Sequence, residues 1–188
     1  VSAIWMNWYG GEQQGIAFAN LLSGKTDPSG RLPITFPICE GQLPLSYWHE
    51  PTGRGEDYVD GTGLPLFPFG YGLSYANFQW SDLKWDNRES GTLSLTVKNT
   101  SDRPGFEVVQ LYMQNQVNPA LQPVIRLVGI EKLYLKPNEE KEVKFLVSHV
   151  KDFLALSDSE AMLGNYQWAV GRSSRNLVSK SSGNFSKK

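Results

Sequence analysis

The sequence predicts a mainly β chain: an antiparallel β-sandwich preceded by a partial α/β segment of the βαβ kind. Three observations predict it. From Phe78 onward, short runs of period-two alternation recur with turn residues between them. Before that, an apolar run, a Gly-Gly break, a helical spacing and a glycine stop follow one another. Between the two lies Pro65-Leu66-Phe67-Pro68-Phe69-Gly70-Tyr71-Gly72-Leu73-Ser74-Tyr75, with two prolines, two glycines and four aromatics. Proline removes a donor and fixes φ, and glycine admits close approach, so this stretch is neither helix nor regular strand. Its large rings mark it as a linker held down by burial.

The opening elements follow from their spacing. Val1 to Trp8 is apolar with β-branched and aromatic residues, the pattern of a buried strand. Tyr9-Gly10-Gly11 breaks it. Ile16, Phe18, Ala19, Leu21 and Leu22 then fit a helix of two to three turns, with Glu12 expected in its first turn, where the helix dipole favours a negative charge. Ser23-Gly24 is the stop, Lys25 to Gly30 a turn, and Arg31 to Pro37 an extended segment. Half a βαβ unit cannot cover its own sheet, so residues 1–40 are expected to need further polypeptide against them. Residues 41–64, rich in Gly and Pro with scattered charge, form a long irregular connection.

After the junction, Phe78 and Trp80 with Leu83 and Trp85 predict a first strand. Leu93, Leu95 and Val97 alternate with polar residues up to an Asn99-Thr100-Ser101-Asp102 turn, and Val109, Leu111 and Met113 alternate similarly. Leu133 and Leu135 precede a Pro137-Asn138 turn; Val143, Phe145 and Val147 follow, then Tyr166, Trp168 and Val170. At least six such strands point to a sandwich, and with a single cysteine it is not of the antibody type. The division expected is residues 1–40, a linker over 41–74, and a sandwich over 75–188.

Composition narrows the function. Net charge is −1, from 18 basic and 19 acidic residues, so no basic surplus drives phosphate binding and nucleic acid is not an expected partner. No apolar run reaches the roughly 20 residues of a membrane helix, so membrane insertion is not expected. Cys39 is the only cysteine, leaving neither an intrachain disulfide nor a Cys-rich metal site. His49 and His149 make no recognisable metal set, and no cofactor is expected. The chain opens without an initiator Met or a basic n-region, so it reads as a piece of something longer, with no signal peptide visible.

The motifs resemble those of family 3 glycoside hydrolases, over nearly the whole chain and in order. Trp8-Tyr9-Gly10-Gly11-Glu12-Gln13-Gln14-Gly15 is similar to a loop of that family, with Gly11 where Glu is common. The run from Asp27-Pro28-Ser29-Gly30-Arg31 to Pro37 matches another, and Gln42-Leu43-Pro44 with Tyr47 follows. Next comes Pro68-Phe69-Gly70-Tyr71-Gly72-Leu73-Ser74-Tyr75. Gly105, Glu107 to Tyr112, Gly129, Glu131-Lys132-Leu133 and Gly164-Asn165-Tyr166 resemble its C-terminal module. Leu163 and the Val124 to Leu127 run depart from the pattern, away from the expected chemistry.

The resemblance implies a fibronectin type III-like (immunoglobulin-like) sandwich after the tail of an α/β sandwich domain. It implies a parent β-glucosidase or β-xylosidase acting on terminal β-linked glucose or xylose of an oligosaccharide. The aspartate nucleophile and acid/base glutamate would lie upstream, on a catalytic barrel and on the α/β domain that are this chain's expected partners. No catalytic residue is therefore expected here, and the segment alone is expected to be inactive. For the parent, a periplasmic or extracellular location is favoured.

Candidate sites remain with their plainer readings. Trp48, His49 and Arg54 sit in the irregular connection, suited either to stacking on and hydrogen-bonding a sugar or to packing between domains. Glu56, Asp57 and Asp60 are either paired carboxylates or charges that solvate a loop. Gly10-Gly11 reads as an anion cradle or as close packing. Asn99 and Asn184 begin glycosylation sequons, meaningful in a eukaryotic secretory protein. Trp85 and Tyr112 are core residues or polysaccharide contacts. The rival reading for the whole is a stand-alone carbohydrate-binding or adhesion sandwich, which needs an exposed aromatic row.

Overall fold

The computed structural model describes residues 2–51, 56–57, 60–86, 91–117, 123–146 and 165–183. In the leading segment the helical spacing yields α1 over Gln14–Leu22. It stops as its sequence dictates: the Ser23 amide donates to Ala19 O at 3.0 Å and the Gly24 amide to Leu21 O at 2.9 Å, with Gly24 at φ 71°. Glu12 lies outside the helix, before its N-cap Gln13, which corrects the expectation of an acidic first turn. Gly11, at φ 65°, turns the chain first and delays the helix start.

The expected opening strand is also absent over residues 2–8, where no ladder partner lies among the described residues. An apolar run becomes a strand only where a neighbour takes its amides and carbonyls. Ile4, Met6 and Trp8 are left exposed, while Trp5 meets Phe18 edge-on at 6.2 Å.

Residues 31–37 bend at Pro33 and Ile34 rather than running extended throughout, and they pair with the aromatic linker. Gly70 N donates to Leu32 O at 2.8 Å, Leu32 N to Tyr71 O at 2.9 Å and Phe36 N to Phe67 O at 2.8 Å. The linker is thus lashed to the segment before it. Between them, Gln42 in a 3₁₀ turn over Glu40–Gln42 is buried and holds the loop together. Its amide donates to Thr62 O and Leu64 O at 2.9 and 3.0 Å and accepts from Ile38 N at 2.6 Å.

The rest of the described residues form an antiparallel sandwich of two four-stranded sheets. In the first, β3 (Thr92–Asn99) pairs along one edge with β1 (Phe78–Trp80) and β2 (Lys84–Asp86), and along the other with β6 (Glu140–Leu146). The second runs β5 (Arg126–Leu135), β4 (Gly105–Val117), β7 (Asn165–Ser173), β8 (Asn176–Gly183). Leu93, Leu95, Val97 and Val143 of one sheet face Val109, Leu111, Met113, Leu133, Tyr166, Trp168 and Val170 of the other. Asn138 takes φ 61° in the β5–β6 turn. Val147 lies outside the described residues.

Strand β4 departs from the half-buried expectation. Val108, Gln110 and Tyr112, which alternate with the core residues, are buried too. The linker supplies the cover: Ser174 N donates to Phe69 O at 2.9 Å, and Phe69 stacks on Tyr47 at 4.0 Å. A strand covered on both faces carries a nearly continuous apolar run, which Val108 to Met113 provides apart from Gln110.

Candidate functional site

The described residues converge most densely at a polar joint between the leading segment and the sandwich. Asp27, in the turn after α1, accepts from Ser74 Oγ at 2.8 and 2.9 Å, from Tyr75 N at 2.7 Å and from Phe106 N at 2.8 Å. One carboxylate therefore ties the first loop, the linker and the start of β4 together. Four residues on, Arg31 donates to Glu107 Oε1 at 3.1 Å. Trp80 Nε1 and Arg172 Nε reach Glu107 Oε2 at 3.2 and 3.3 Å, and Val108 N reaches Oε1 at 3.0 Å. Glu107 is buried, so these donors offset the desolvation of its charge. Arg172 also lies over the Trp80 ring at 5.3 Å and donates to Phe78 O at 2.6 Å, linking the two sheets.

Gln110 completes the joint. Its amide donates to Gly70 O at 3.0 Å and Arg172 O at 2.9 Å, and its carbonyl accepts from Tyr112 Oη at 2.6 Å. Burial, with Tyr47 beside it, pushes the Tyr112 hydroxyl well above the usual tyrosine range. Gly70 stands at φ 80°, and a Cβ there would come within 2.0 Å of Gln110 Oε1. Neither the backbone nor the space admits another residue.

Sequence reasoning met Asp27, Arg31, Glu107 and Gln110 only as motif residues, and missed Arg172. The available signal was polar residues inside a buried strand pattern.

The residues singled out for sugar contact lie elsewhere. Trp48 is exposed, and His49 places Nε2 at 3.4 Å from Glu56 Oε1 and Nδ1 at 2.9 Å from Glu50 O. Arg54 lies outside the described residues. This loop is strapped to the sandwich: Val124 N donates to His49 O at 2.9 Å, Leu127 N to Tyr47 Oη at 3.4 Å, and Arg175 of the β7–β8 turn pairs with Glu56.

Glu56 and Asp57 form no matched carboxylate pair. Glu56 is held by His49 and Arg175, while Asp57 accepts from Thr62 Oγ1 and Gly63 N at 3.2 and 3.0 Å. Asp60 is exposed. The Gly10 amide is taken by Gln14 Oε1 at 3.3 Å, inside the loop that read as an anion cradle. Asn99 is fully buried, donating to Arg103 O and Leu135 O at 2.8 and 3.0 Å, so its sequon presents no amide for modification. His149 and the Asn184 sequon lie outside the described residues. Tyr112 is fully buried and Trp85 stacks on Trp168 at 6.2 Å, so neither contributes to an exposed aromatic row. Among the described residues no group of three or more His, Cys, Asp or Glu is placed to hold a metal ion, and no helix is long and apolar enough to cross a membrane.

Residues 1–75 match the description Glycosyl hydrolase family 3 C-terminal domain, and residues 107–174 match Fibronectin type III-like domain. The chain belongs to glycoside hydrolase family 3. It corresponds to the C-terminal portion of the longer family 3 enzymes, with the sandwich as their fibronectin type III-like domain. A periplasmic β-glucosidase of Salmonella typhimurium is 41% identical over 158 residues, covering 76% of this chain and 21% of that protein. A β-xylosidase of Formosa agariphila is 34% identical over 186 residues, 93% of this chain and 26% of that protein. Among solved structures, a β-glucosidase from Erythrobacter marinus superposes with a TM-score of 0.79 at 32% identity, over 94% of this chain and 24% of its own. The chain thus spans about a quarter or less of the length of these family 3 relatives.

Proposed function

We propose that this chain is the C-terminal portion of a retaining β-glycosidase that removes terminal β-linked glucose or xylose from oligosaccharides, and that its own role is structural. The observation that carries the reading is a contrast within residues 1–75. One side is fixed to the sandwich through Asp27, Arg31 and Gly70, while Ile4, Met6, Trp8, Ile16, Leu22, Ile34 and Ile38 remain exposed. Seven large apolar side chains left exposed within one segment are what an interaction site presents. We assign it to the upstream barrel and the remainder of the α/β sandwich domain. The sandwich then acts as a buttress, holding the end of the α/β domain in place.

The division that goes with this reading is an α/β tail over residues 1–40, a linker over 41–74 and a sandwich over 75–188. The nucleophile and acid/base carboxylates, which in retaining hydrolysis stand about 5–5.5 Å apart, belong to the upstream domains. We assign sugar contact near the catalytic face to Trp48, His49 and Arg54, three residues of the irregular connection. The names of the relatives support both glucose and xylose as the released sugar, and one of them is described as periplasmic. The test is anomer-resolved NMR on an enzyme carrying this chain: release of the β-anomer first from a β-glucoside or β-xyloside is expected. Release of the α-anomer, or no release from either substrate, would overturn the reading.

A further inference from the structure

We propose that the cleft between the loop after α1 and the sandwich binds a carboxylate-bearing sugar, a uronic acid residue of an oligosaccharide. The cleft encloses about 340 Å³, and its walls include Lys25, Asp27, Tyr75, Arg103, Phe106 and Tyr134. Both oxygens of Asp27 accept from Ser74 Oγ, Tyr75 N and Phe106 N, all neutral donors, so its charge remains in the lining, where Lys25 and Arg103 outnumber it by one. Among the described residues, no carboxylate lies within ion-pair distance of Lys25 or Arg103.

Of the lining's cations, Arg103 is placed by an aromatic ring, and Lys132 outside the lining is placed in the same way. Arg103 lies over Tyr75 at 5.8 Å, and Lys132 over Phe106 at 4.8 Å. Tyr75 is itself fixed, donating from Oη to Leu21 O at 2.8 Å. Arg103 therefore presents its guanidinium from a defined position, and its planar fork matches a carboxylate. Beside it the Tyr134 ring, tilted on Phe106 at 5.0 Å, stays 46% exposed and offers a face to a pyranose ring. A neutral sugar would use the ring and leave Lys25 and Arg103 unanswered, whereas a uronic acid uses all three groups. The charge is local: the chain as a whole carries −1, which sets this cleft apart from a general polyanion surface.

The choice of a sugar as carrier of the carboxylate rests on the glycosidase reading. The test measures binding without hydrolysis, so the two can fail separately. The full chain is titrated calorimetrically with a xylo-oligosaccharide bearing one glucuronic acid branch and with the unbranched oligosaccharide of equal length. The branched sugar is expected to bind about tenfold tighter or more, which is about 1.4 kcal/mol, with the difference shrinking as salt is raised. Arg103→Gln and Lys25→Gln are each expected to remove most of that preference, and Tyr134→Ala to weaken both sugars. Equal affinity for the two sugars would overturn the proposal, as would an unchanged preference in Arg103→Gln and Lys25→Gln chains whose circular dichroism matches the parent.

Discussion

The Glu107 carboxylate and the Arg31 guanidinium meet at 3.1 Å, with side chains only 3% and 8% exposed. They lie 76 positions apart in the sequence, Arg31 in the leading segment and Glu107 in the sandwich. With Trp80 and Arg172 on the second carboxylate oxygen, the pair couples the folding of the two regions.

Glu107→Gln keeps the shape and removes the charge, leaving Arg31 buried against a neutral amide. Breaking a buried pair from one side costs about 3–5 kcal/mol. Urea unfolding followed by tryptophan fluorescence is expected to show a loss in that range. A change below about 1 kcal/mol, the scale of an exposed pair, would show that the joint does not depend on this charge.

At Gly70 the expectation is steric. Ala there meets both φ 80° and the Gln110 Oε1 atom 2.0 Å from its Cβ. Strain and a displaced buried amide together are expected to lower stability by about 2 kcal/mol or more. The same thermal or urea experiment on Gly30→Ala, where a Cβ meets nothing within 4 Å, supplies the control. Equal effects at the two positions would contradict the packing described.

Tyr112 gives the chain an alkaline limit. Its hydroxyl is raised in the fold by burial above the ordinary value of 10.0, so the folded state keeps a proton that the unfolded state releases. This contribution is whole below pH 10 and is lost as pH rises above it, at up to about 1.4 kcal/mol per pH unit. Tyr112→Phe is expected to be less stable at neutral pH, having lost the Gln110 bond, yet to decline less steeply above pH 10. Parallel pH profiles for the two chains would rule this out.

Much of the sandwich was legible because alternation reports a face. Leu93, Leu95 and Val97 fall on the core side as their spacing requires, as do Tyr166, Trp168 and Val170. Asn138 and Ser23-Gly24 turn the chain where their chemistry predicts. The opening residues failed because strand character in Val1 to Trp8 is a property of a pair, and no pairing partner lies among the described residues. Tyr112 is in the core, one of its two readings, whereas Gln110 failed differently: its cover comes from the linker some 40 positions earlier, and periodicity carries no information about such contacts. The joint was present in the sequence as Asp27, Arg31 and Glu107, but only distances turn three charges into a site.

If catalysis belongs to polypeptide outside these 188 residues, nitrophenol release is the sharpest check. The purified chain, incubated with nitrophenyl β-glucoside and β-xyloside, is expected to release nothing above the buffer blank. Release by the chain alone, lost on Asp57→Ala or Asp60→Ala, would place the chemistry here and refute a purely structural role.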